Sequence, residues 1–181
     1  MRKPTLALAL GVALVPGHAV EPATPARLDE VAERGAHVMP FDLDKTVHVF
    51  NKSENGGIQQ VIAKDAHDAE QIGLIRRHLA HIAARFAQGD FSGPARIHGR
   101  EMPGLAEMSA GAPQLDIVYR DLPNGGQIDY SSKQPALVGA IHRYFDAQLS
   151  DHARHAISGH PPGHHPESGT PQPFSAEEAK P

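Results

Sequence analysis

The sequence predicts an α+β domain, a two-layer sandwich in which one four-stranded antiparallel sheet carries two long helices on the same face. Three observations point there. Two β-rich stretches, residues 46–63 and 115–131, each run out, turn near a Gly-Gly pair and run back. Each is followed by a segment whose apolar residues recur at helical spacing. The order then repeats as ββα, a loop and ββα, and two hairpins with two one-sided helices bury their apolar faces most simply as two layers. An α+β domain without internal symmetry is the alternative to this pseudo-repeat.

The chain opens with the pattern of a secretory leader over residues 1–19. Arg2 and Lys3 give the positive start, TLALALGVALV is the apolar run, and Pro16-Gly17-His18-Ala19 supplies small residues for cleavage. The run is short for a span, which needs about 20 apolar residues; an uncleaved N-terminal anchor is the alternative. No later segment is apolar enough to cross a bilayer. The expectation is an exported soluble protein, periplasmic or secreted, with no stable membrane span after processing. The 181 residues include no Cys, which excludes a disulfide framework, a thiolate metal site and a cysteine nucleophile. Seventeen Lys+Arg against 21 Asp+Glu, a formal charge of −4, leaves no basic footprint for nucleic acid.

Residues 20–35 read as a linker with room for one helical turn. Residues 36–156 are of a size for one domain. From 157 to 181 the chain is rich in Pro, Gly, Ser and His with almost nothing apolar to bury, the composition of a disordered tail. Within the domain, TVHVF (46–50) and IQQVIA (58–63) flank the turn NKSENGG. LDIVY (115–119) and QIDYS (127–131) flank a second turn that ends in Gly125-Gly126. Glycine suits the positive φ angles of tight hairpins. Residues 65–87 place Ile72, Ile75, Leu79, Ile82 and Phe86 on one stripe, and Gly89 follows as a stop. Pro135 suits the first turn of the second helix, which carries Leu137, Val138, Ile141, Tyr144, Phe145 and Leu149. Between them, residues 89–113 read as loop with a helical turn at 104–110.

Chemistry in this chain means histidine. Thirteen are present, and only His18 leaves with the leader. His37 and His98 each shortly precede a Met-Pro, at Met39 and Met102. Imidazole with thioether suits copper, Cu(I) above all, and imidazole also suits zinc. Methionine equally fills core gaps as a flexible apolar chain. His48 lies on the strand face of Thr46 and Phe50, opposite Val47 and Val49. At about 100° per residue, His78 and His142 sit at the borders of their apolar stripes, His81 points to water, and His152 falls nearer the apolar side if its helix runs through Asp151. His155, His160, His164 and His165 lie among Pro and Gly, where a flexible tract chelates metal without specificity. For acid–base work the pieces are His48 or His98 as base, with Asp42 or Asp44 as its orienting carboxylate. No HExxH, GxSxG, Walker loop or GxGxxG occurs.

The strings HVMPFDLDKTVHVF, GDFSGPARIHGREMPGL and HRYFDAQLSDH resemble a family of small, mostly bacterial proteins that genome pipelines often label aspartate carbamoyltransferase. The resemblance covers residues 35–156, and His37, His48, His98, His142 and His152 all fall within its three strings. The label itself implies a cytosolic enzyme of about twice this length with two α/β domains. It also implies a Ser-Thr-Arg-Thr phosphate loop and a His-Pro-x-Gln segment, and neither occurs in this chain. No catalytic residue carries over.

Three functions follow as expectations. The first is an exported binding protein for a transition metal, copper or zinc, with His37, Met39, His48, His98 and Met102 as ligands and the His-rich tail as accessory. Haem is a variant, since His or Met can ligate its iron, although no CxxCH is present. The second is a small exported enzyme using His48 or His98 with Asp42 or Asp44. The third is a non-catalytic domain whose open sheet face takes a protein partner.

Overall fold

The computed structural model describes residues 22–159. The leader and most of the tail lie outside them. The stretch expected as a linker forms a helix of 14 residues, α1 (Pro25–Val38). Pro25 begins its first turn, and the Thr24 hydroxyl accepts the Arg27 N–H to cap it. Only Val31 and Gly35 of α1 are buried, a stripe too thin to announce itself in sequence.

A short 3-10 turn, Leu43–Lys45, leads into β1 (Thr46–Ser53) and β2 (Gly56–Ala63). Then come α2 (Ala69–Phe86), α3 (Ser92–His98) and α4 (Leu105–Ala110). The second hairpin is β3 (Asp116–Leu122) and β4 (Gly125–Ser131), followed by α5 (Pro135–Asp151) and a terminal strand, β5 (Ala156–Ser158). The α3 helix falls in a region expected as loop.

The expected four-stranded antiparallel sheet is corrected. There are five strands in the order β3-β4-β2-β1-β5, and β5 pairs parallel with β1, so the sheet is mixed. Three residues were too few for strand periodicity, and β5 straddles the expected start of the tail. The two hairpins abut through antiparallel β2 and β4. Each turn is tighter than expected, with Ser53 opposite Gly56 and Leu122 opposite Gly125.

Of the four hairpin glycines, only Gly56 has a positive φ, at 153°. Two others are needed for close approach instead. A Cβ on Gly57 would stand 2.7 Å from the Phe145 ring of α5, and one on Gly126 would stand 3.1 Å from Leu79 of α2. These contacts seat α2 and α5 on the same sheet face. Phe50, Val61, Ile128 and Tyr130 of that face pack with Ile75, Leu79, Ile141, Tyr144 and Phe145 into one core. His48 shares this covered face, since alternation places it with Thr46 and Phe50 and all three are buried.

Candidate functional site: a histidine-lined cavity

α1, α3 and the end of α5 enclose one end of this core. β1 contributes His48, α2 contributes His78, the last residue of α3 is His98, and His152 caps α5. All four line a cavity of about 50 Å³, together with Met39, Gln59, Tyr144 and Gln148 and apolar walls such as Phe41, Leu79, Phe86 and Ile97. That volume holds an ion or a few water-sized molecules.

The rings are close. His48 and His152 stack with centroids 5.5 Å apart and planes 5° from parallel, and His98 meets His152 edge-on at 4.9 Å. His48 and His78 both also contact the Phe41 ring. Burial in this apolar setting disfavours the imidazolium. Burial lowers the His48 pKa to about 4, with neighbouring His155 and His78 adding repulsion. Burial likewise brings His78 to about 4, and it pushes His152 well below the ordinary imidazole range. These three rings are therefore neutral at pH 7, with a lone pair available to a ligand. The His48 Nδ1 is buried and has no hydrogen-bond partner.

His98 differs from the other three in having a carboxylate. Its Nδ1 lies 2.7 Å from Asp151 Oδ2, and the Arg27 guanidinium from α1 donates to both oxygens of Asp151, at 2.8 and 3.3 Å. The same guanidinium donates to the His98 carbonyl at 2.7 Å. Burial alone would raise the Asp151 pKa, but the hydrogen bonds from His98 and Arg27 outweigh it and hold the carboxyl at about 2. The ionised carboxylate fixes the orientation of the His98 ring through Nδ1.

Of the residues singled out in sequence, His48, His98 and Met39 line the cavity. His37 is exposed in the last turn of α1. Met102 is buried in the core without joining the cavity wall. Asp42 and Asp44 are both exposed and orient neither His48 nor His98. Asp42 caps the 3-10 turn by accepting the Asp44 N–H, while Asp44 lies 3.7 Å from His155. Asp151 takes the orienting role, and α1 and the end of α5 bring it to His98 across long separations in the chain. Asp151, Arg27, Gln59 and Gln148 carried no sequence signal. His152 did carry one, through its helical angle, and α5 does run through Asp151.

Among the described residues, no group of three or more His, Asp or Glu side chains is arranged as it stands to hold a metal ion. Imidazole and thioether are donor types that suit copper or zinc. Among the described residues no helix is long and apolar enough to cross a membrane. The chain matches no protein-family model, no curated protein and no solved structure.

Proposed function

We propose that this is an exported metal-binding protein whose cavity takes one copper or zinc ion through His48, His98 and His152, with the Met39 thioether on the wall. The leader pattern of residues 1–19, outside the described residues, is the basis for export to the periplasm or the exterior. The observation that carries the reading is the cluster of imidazoles around one cavity, one with a buried, unpartnered Nδ1 and one held by a carboxylate. A carboxylate behind a histidine is the usual outer support of a metal ligand. Imidazole and thioether together favour copper in its lower oxidation state. The cavity volume of about 50 Å³ suits a bare ion better than a porphyrin.

The test is competition against a chelator of known affinity, with Cu(I) and Zn(II) tried separately. A variant with His160, His164 and His165 replaced by Ala removes the His-rich segment that lies outside the described residues. It is expected to keep the tight site, whereas His98→Gln with His152→Gln loses it. Binding that disappears with the tail substitutions alone would sink the reading.

A second reading rests on the 2.7 Å contact between His98 and Asp151. A carboxylate-oriented imidazole facing an apolar cavity is also the pair needed for proton transfer to a small substrate. Under this reading Asp151→Asn abolishes turnover in metal-free protein. Under the metal reading there is no metal-free turnover to lose.

A further inference from the structure

The α3 helix has a second side. Toward the core it presents Pro94, Ile97 and His98 to the cavity. On its other side it walls a separate, open groove of about 420 Å³, lined by Ser92, Ala95, Arg96, Arg100, Leu105 and Ser109. That volume lies within the usual range of small-molecule pockets, about 300–1,000 Å³.

The two arginines stand apart from most others in the molecule. Arg27, Arg34, Arg76, Arg85, Arg120, Arg143 and Arg154 each pair with a carboxylate. Arg96 and Arg100 are exposed and pair with none among the described residues, in a chain whose formal charge is −4. The one carboxylate lining the groove, Asp90, is already engaged. It accepts from the Arg85 guanidinium and from the Ser92 N–H at 3.0 Å. Two exposed arginines without a carboxylate partner therefore line one concavity, with half-buried Ala95 and the edge of buried Leu105 beside them. Guanidinium forks match the planar or tetrahedral oxygens of an oxyanion.

We propose that this groove binds a small organic anion, with its oxyanion on Arg96 and Arg100 and its apolar body against Ala95 and Leu105. The site is independent of the metal reading, because no residue lines both the groove and the cavity.

The full chain is titrated with benzoate and with phenyl phosphate while backbone amide NMR signals are followed. Acetate, inorganic phosphate and benzyl alcohol are the controls that lack either the ring or the charge. The expected result is saturable movement of the Ser92, Ala95 and Ser109 amides. At least one aromatic anion should bind roughly tenfold or more tighter than every control, about 1.4 kcal/mol. Arg96→Gln with Arg100→Gln should remove that binding. Arg77→Gln, an exposed and likewise unpaired arginine on α2, should leave it unchanged. The proposal is overturned if neither aromatic anion saturates the site, if the controls bind as tightly, or if Arg77→Gln weakens binding as much as the paired substitution.

Discussion

At the residue scale, His48 sets stability against chemistry. A buried nitrogen without a partner costs about 1–3 kcal/mol, and the ring could be replaced by an apolar group of similar size. His48→Leu should therefore stabilise the metal-free protein by about 1 kcal/mol in urea unfolding while abolishing the tight metal site. A loss of stability would mean that His48 is held by contacts that leucine cannot make. The same burial keeps the ring neutral down to about pH 4. Proton NMR of its ring signals should show no titration between pH 8 and pH 5, where an ordinary imidazole titrates near 6.5. On the proposed metal reading Asp151 acts through His98 and not on the ion itself. Asp151→Asn should weaken metal binding by roughly 10- to 100-fold, the usual effect of losing such a support, measured by chelator competition.

At the element scale, α1 is the piece that sequence reading undervalued. It buries little of its own surface and is tied down by polar side chains, above all Arg27, which reaches Asp151 and the His98 carbonyl, with Asp29 on Arg154 and Arg34 on the Ile97 carbonyl beside it. The ion pair of Arg27 with Asp151 is partly buried, with 29% and 14% of the two side chains exposed. Arg27→Gln should cost about 1–2 kcal/mol, below the full penalty for a buried pair because water still screens the guanidinium. Thermal unfolding would register that loss, and amide exchange should quicken at the end of α5. An unchanged melting temperature would mean that α1 is not held through Arg27. The hairpins and the two long helices were legible because each carries its own periodicity or turn residues. α1 and β5 were not, since a helix held mainly by ion pairs to distant residues and a strand of three residues are decided by tertiary partners. The site divides the same way. His48 and His98 could be singled out by type and spacing, and His152 by angle. Their meeting in one cavity depends on where α5 ends against β1, which no local pattern encodes. Asp42 and Asp44 were attractive because they are near in sequence, and Asp151 replaced them because it is near in space.

At the scale of the whole molecule, the cavity should make the fold sensitive to mild acid. The folded pKa values of His48 and His78, each about 4, lie below the imidazole reference of 6.5. The unfolded chain therefore binds more protons between those limits. Stability is complete above about pH 6.5, falls as pH drops toward 4, and has lost this contribution below it. His48 alone accounts for about 3 kcal/mol of that fall, and His152 acts in the same direction. Asp151, also held low, adds a second loss as pH falls from its reference of 3.8 toward 2. Urea midpoints measured from pH 8 to pH 4 should decline through the first window. A flat profile would mean that the imidazoles are solvated and the cavity is not closed.

The most direct test of the cavity as a metal site is the metal content of the full chain carrying His160→Ala, His164→Ala and His165→Ala. The protein is purified without a tag, exposed to copper or zinc and then desalted. The account predicts retention of close to one ion per chain, because the ligands of the folded cavity remain when the three C-terminal histidines are gone. Protein that emerges from desalting with no bound copper or zinc would contradict it.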